Sequence, residues 1–133
     1  MKTEEIHLTS KITQEDETAT FEKTMPGEFS EKDGIMRLSY LEDGQIPIKI
    51  MIKNNEMIMR RGVDSRNHSL MRFTHGEKED CHYLVEGRQM DLTSVTNLLK
   101  VTKNGNEHKV SVEYDLFSGL YLIGNYAVTL IFA

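Results

Sequence analysis

The sequence predicts an all-β fold, a single antiparallel up-and-down β-barrel of about 8–10 strands formed by residues 1–133 as one domain. Three observations lead there. Apolar residues recur at period two in about ten short segments, and no stretch of ten or more has helical periodicity. Turn signals return about every 8 to 14 residues, the spacing of all-β sandwiches and barrels. Nearly every connection is short enough for a hairpin, and a meander of eight or more strands removes its exposed edges by closing on itself. A chain of 133 residues is long enough to bury roughly two-thirds of its unfolded surface around one core.

The first strand is expected over 3–12, where Ile6, Leu8, Ser10 and Ile12 alternate with His7, Thr9 and Lys11, which face outward. The acidic run Glu15-Asp16-Glu17 reads as a solvated turn. A second strand follows with Ala19, Phe21, Met25 and Phe29 on one parity, bent or bulged at Pro26-Gly27. Asp33-Gly34 as a two-residue turn sets Phe29 opposite Leu38 in a third strand, 35–41, whose Met36, Leu38 and Tyr40 share a face. A three-residue loop Glu42-Asp43-Gly44 then pairs Tyr40 with Ile46, Leu38 with Ile48 and Met36 with Ile50. A two-residue loop would instead put Arg37 and Ser39 against the isoleucines, so burial selects the longer one.

Ile46, Ile48, Ile50 and Ile52 form the most regular ladder in the chain, and burying each isoleucine is worth roughly 1.5 to 3 kcal/mol. With Asn54-Asn55 as a two-residue turn, the favoured reading, Lys53 meets Glu56 and the ladder gains Met57, Met59 and Arg61. A three-residue loop through Glu56 would bring Ile58 and Arg60 inward instead. Residues 63–69, VDSRNHS, read as a loop; 70–74 as a strand with Met71 and Phe73 on one face; and 81–86 as a strand with Cys81, Tyr83 and Val85 on one face, ending at Gly87. An Asn104-Gly105 turn pairs Val101 with His108, Leu99 with Val110, Asn97 with Val112, Val95 with Tyr114 and Thr93 with Leu116, leaving Leu92 and Leu98 as apolar exceptions on the outer face beside Ser94 and Thr96. The last strand, 125–133, carries Tyr126, Val128, Leu130 and Phe132 on one face and closes the sheet.

Composition narrows function mainly by exclusion. A net charge of −5 with interspersed signs offers no basic stripe for a phosphate backbone, so no nucleic-acid partner is expected. No run approaches the roughly 18 apolar residues of a membrane span, so no membrane partner is expected either. A single cysteine and no apolar segment after Met1 point to the reducing cytosol, hence a cytoplasmic protein.

For catalysis the chain offers no GxSxG elbow, phosphate loop or GxGxxG, and Cys81 reads as a buried small residue. Its carboxylates fall at turns or on solvent faces, and the expectation is no enzyme and no cofactor. Five histidines invite a metal reading, but Cys81 and His82 point to opposite faces and His7, His68, His75 and His108 show no ligand spacing. They read as scattered surface residues.

The segments RLSYLEDG (37–44), MRRG (59–62), MRFTHG (71–76), HYLVEG (82–87) and VSVEYDL (110–116), in this order, resemble the YwiB-like family of small bacterial proteins over residues 3–132. The resemblance implies a calycin-like, lipocalin-type β-barrel and a bacterial cytoplasmic origin, and it implies no activity or site.

What the residues then suggest is a barrel interior that holds one small, largely apolar or anionic molecule. Its candidate lining residues are Tyr40, Arg60, Tyr83, Thr93, Asn97 and Tyr114. Asn97 stands out, because an unsatisfied amide among Val95, Leu99 and Val112 would cost roughly 1 to 3 kcal/mol. The alternative is an interaction module with a filled barrel, whose exposed Met51, Leu92 or Leu98 meets a partner or a second copy in a homodimer.

Overall fold

The computed structural model describes the backbone of residues 2–62 and 64–133 and the side chains of residues 5–62 and 64–133. Val63, the first residue of the polar stretch read as a loop, lies outside the described residues. Among the described residues, eleven strands make one antiparallel sheet: β1 (Lys2–Gln14), β2 (Glu17–Lys32), β3 (Ile35–Glu42), β4 (Ile46–Lys53), β5 (Glu56–Gly62), β6 (His68–Thr74), β7 (Lys78–Val85), β8 (Arg88–Gln89), β9 (Leu92–Asn104), β10 (Glu107–Ser118) and β11 (Tyr121–Phe132). Their order is β6-β5-β4-β3-β2-β1-β11-β10-β9-β7-β8, and an additional β6–β7 pairing closes the ring. Ten strands form the barrel; two-residue β8 is a hairpin appended to β7. The closed all-β meander is the architecture expected, with longer hairpins at β1–β2 and β9–β11.

The turn chemistry explains the registers. Asp33-Gly34 and Asn54-Asn55 have positive φ at both central residues, as a type I′ hairpin requires. Phe29 therefore faces Leu38, and Lys53 faces Glu56. The two-residue Asn54-Asn55 turn places Met57, Met59 and Arg61 opposite Ile52, Ile50 and Ile48, and Arg60 opposite Lys49 on the outer face.

Two registers differ from expectation. The β3–β4 loop is Asp43-Gly44-Gln45, tightened by the Gln45 N–H donating to the Glu42 carbonyl at 3.0 Å. Tyr40, Leu38 and Met36 consequently face Ile48, Ile50 and Ile52, on the expected side but two residues further along. In the β9–β10 hairpin Gly105 alone has positive φ, so the tight turn is Gly105-Asn106 with glycine first, the type II′ arrangement. Asn104 then pairs with Glu107, Val101 with Val110 and Leu99 with Val112.

Past that point β9 carries a bulge. Leu98 faces Glu113 and Thr96 faces Tyr114, leaving Asn97 without an opposite number. The extra residue reverses the parity of everything before it. Ser94 and Thr96 become wholly buried and Leu92 packs against the core, whereas Thr93 and Asn97 point outward. Leu92, an exception under the unbulged register, thus joins the interior.

One end of the barrel is filled. Ile6, Phe29, Leu38, Ile50, Ile52, Met57, Phe73, Val110, Val112, Leu130 and Phe132 are buried there. His108 belongs to this cluster and corrects the reading of surface histidines: its ring lies against Phe132 at 5.2 Å, nearly parallel, and against Phe29 at 4.7 Å. Gly27 is needed for close approach, since a Cβ there would meet Ile6 Cδ1 and, at 2.7 Å, the Ser39 carbonyl. Beyond Gly27, toward the other end, β2 parts from β3.

Candidate functional site

The other end of the barrel is hollow. A cavity of about 480 Å³ opens toward the end that carries the β1–β2, β3–β4 and β10–β11 connections. Strand alternation builds its wall. Leu8, Ser10 and Ile12 come from β1, Tyr40 and Glu42 from β3, Met59 and Arg61 from β5, and Ser69 and Met71 from β6. Tyr83, Leu92, Tyr114, Leu116, Tyr126 and Val128 extend it, with Phe21 and Lys23 from β2 and Ile48 from β4. Tyr114 floors the cavity, packed on Phe73 at 4.7 Å below and stacked on Tyr126 at 5.1 Å.

Charge is gathered at the mouth in two ion pairs. The Arg61 Nε and Nη2 both donate to Glu42 Oε2, at 2.8 and 2.6 Å, bridging over β4 on the inner face. This arginine meets the requirement that a cation ending an apolar ladder find a partner. It also corrects the expectation that all carboxylates sit at turns or on solvent faces. Lys23, inward on β2, donates to Asp43 Oδ1 at 2.6 Å across the gap where β2 has left β3. That contact raises the Lys23 pKa, with the hydrogen bond to Asp43 the largest cause. Along the same gap a shallow solvent-open cleft of about 600 Å³ shares Tyr40 and Ile48 with the interior.

Burial pushes the Tyr40 phenol up to about 12; the Glu42 carboxylate adds to the shift and the Arg61 guanidinium opposes it. Tyr114 is raised further, by burial first and then by Tyr126, Cys81 and Tyr83. Both phenols therefore stay protonated and able to donate through the physiological range. Cys81 is buried as expected, and burial raises its thiol pKa, which argues against a nucleophilic thiolate.

Of the six candidate lining residues, Tyr40, Tyr83 and Tyr114 face the cavity and three do not. Arg60 is exposed on the outer face because the Asn54-Asn55 turn has two residues. Asn97 is exposed at the bulge, where its Nδ2 donates to Asp115 Oδ2 at 3.1 Å, and Thr93 follows the reversed parity outward. Sequence reasoning missed Glu42 and Lys23 as mouth residues and Tyr126 as a wall residue. The parity that makes Arg61 inward was the available signal for its role. Among the described residues no cluster of three or more His, Cys, Asp or Glu is placed to hold a metal ion, and no helix is long and apolar enough to cross a membrane.

Residues 6–130 match the model of a family described as a domain of unknown function, DUF1934. The chain belongs to the DUF1934 family. Its fold is shared with the crystal structure of the ywiB protein from Bacillus subtilis, with a TM-score of 0.83 at 18% identity over 98% of this chain and 89% of that one. The YwiB-like resemblance drawn from the ordered motifs is thus borne out. No curated protein matches the chain. Membership in DUF1934 carries a barrel and no chemistry, so function must be argued from the cavity.

Proposed function

We propose that this DUF1934 barrel binds a small, largely apolar molecule in its hollow end, with the polar end of the ligand at the Arg61–Glu42 pair. The observation that carries the reading is the division of the interior. Half is packed to exclusion by aromatic and aliphatic side chains, and the other half leaves about 480 Å³, within the range of small-molecule sites. Aliphatic side chains supply the contact area. The tyrosines supply oriented donors, and the mouth charges are mutually neutralised, so a neutral or anionic head is received by hydrogen bonding rather than by a free cation.

A thermal-shift series with decanol, decanoate and decylamine tests this. Decanol and decanoate are expected to raise Tm, since a ligand bound only by the native state stabilises it by mass action. No shift with any of the three counts against the reading.

A second reading, contact with a partner or a second copy, draws on the β10–β11 tip, where Leu120 is fully exposed and Tyr121 and Leu122 are about half or more exposed. Light scattering addresses it, with a dimer that Leu120→Ser dissociates as the expected result and a strict monomer as the contrary one.

A further inference from the structure

The β6–β7 seam that closes the barrel is its shortest pairing, with His68 opposite Leu84, Ser69 opposite Tyr83 and Leu70 opposite His82. Ser69 and Tyr83 face the cavity, so His68 and His82 lie on the outer face as diagonal neighbours, a juxtaposition that their 14-residue separation in sequence conceals. Their Nε2 atoms stand 3.2 Å apart. Two imidazole nitrogens bound to one ion at about 2.0–2.1 Å subtend an angle of about 100° at that separation, close to the tetrahedral value.

The tautomer is also set. The His68 Nδ1 lies 3.1 Å from the Asp64 carbonyl oxygen, which only accepts, so Nδ1 carries the hydrogen and the Nε2 lone pair of neutral His68 points at His82. A backbone carbonyl on the far ring nitrogen is the usual outer support of a metal-binding histidine. The supporting loop is itself held in place. Asp64 Oδ1 accepts from the N–H groups of Arg66 and Asn67, Asn67 Oδ1 accepts from the Glu86 N–H, and the Gly87 N–H donates to the Arg66 carbonyl.

We propose that His68 and His82 bind a divalent transition-metal ion of the zinc class through both Nε2 atoms, with water completing the coordination, and that the ion staples the closing seam. In the free protein His82 Nε2–H donates to His68 Nε2. Binding requires that proton to move to Nδ1 of His82, after which both lone pairs face the ion. The inference is independent of a cavity ligand. Because the staple joins the strands that contribute Ser69 and Tyr83, it would also stiffen one wall of the cavity.

The test is calorimetric titration of the tag-free protein with zinc and with nickel, beside a thermal scan. One equivalent bound and a Tm raised by several degrees are expected. The same measurements on His68→Gln and His82→Gln are expected to show affinity at least tenfold weaker and the Tm gain lost, whereas His75→Gln, on the exposed β6–β7 turn, keeps both. His82 and His75 are exposed and His68 is half-buried on the outer face, and an unchanged metal-free Tm confirms that each variant folds. No binding by the wild type, or equal binding by the His68→Gln, His82→Gln double variant, overturns the proposal.

Discussion

Arg61 and Tyr40 show how single side chains set the character of the hollow end. Arg61 ends the inner ladder of β5, and its pairing with Glu42 is what allows a guanidinium to stand beside Ile48 and Met59. Arg61→Leu is expected to leave Glu42 unpaired at the cavity mouth and to weaken decanoate more than decanol, as read by titration of both.

Tyr40 makes a separate prediction. Its phenol is near 10 in the unfolded chain and about 12 in the fold. Between those values the unfolded state has lost the proton and the native state has kept it, so the stability fully present below pH 10 declines as pH rises toward 12. Denaturant unfolding at pH 9, 10 and 11 should show that decline, on the order of 1–3 kcal/mol in all, and Tyr40→Phe should reduce it to the share contributed by Tyr114, which is also raised.

The buried hydroxyl of Thr96 and the Nε2 of His108 find no hydrogen-bonding partner among the described residues. Thr96→Val keeps the shape and removes an unsatisfied group, so Tm is expected to rise, by the equivalent of about 1 kcal/mol. Whether Arg60 or Arg61 is the inner cation follows from one residue of turn length, and two asparagines with positive φ decide it for Arg61.

At the scale of elements, the ladders of β1, β4 and β11 were legible because each carries an inward set at period two, and a slip of one residue would turn that set outward; β5, with Met57, Ile58 and Met59 in succession, was settled only by the length of the Asn54-Asn55 turn. Ile6, Leu8, Ser10 and Ile12 face Phe132, Leu130, Val128 and Tyr126 as that logic requires. The β9–β10 hairpin was not legible for two reasons. Gly105 takes the first turn position rather than the second, which moves the pairing by two residues without exchanging the faces, and the bulge at Asn97 then exchanges them, turning Thr96, Ser94 and Leu92 inward. A bulged asparagine has no signature distinct from a core asparagine in an alternating run, which is why Asn97 read as a lining residue.

A bend or bulge is expected at Pro26-Gly27, but β2 runs through both residues in unbroken register against β1, and what changes at Gly27 is that β2 parts from β3. Gly27→Ala drives a Cβ into Ile6 and the Ser39 carbonyl. It is expected to lower stability by about 1–3 kcal/mol, a loss that would show as a lower denaturant midpoint with an unchanged slope. No loss there would mean that β3 moves freely against β2.

Across the whole molecule, the interior is divided in two. Phe29, His108 and Phe132 pack one end, Phe73 and Tyr114 form the partition, and the aliphatic residues above it enclose space with two ion pairs at the opening. A barrel maintained only as a scaffold gains by filling that space, since unfilled volume forfeits dispersion contacts. Hollowness at one end only, with polar groups converging on it, is what supports the proposal of a ligand site. Ser10, small and inward on β1, offers the means to abolish the space without disturbing the packed end. Titration calorimetry of decanoate into the wild type and Ser10→Trp is therefore the most direct measurement. Saturable one-to-one binding by the wild type, lost in a Ser10→Trp variant that keeps the same circular dichroism, is the predicted result; equal binding by both proteins, or none by the wild type, would contradict a ligand site inside the barrel.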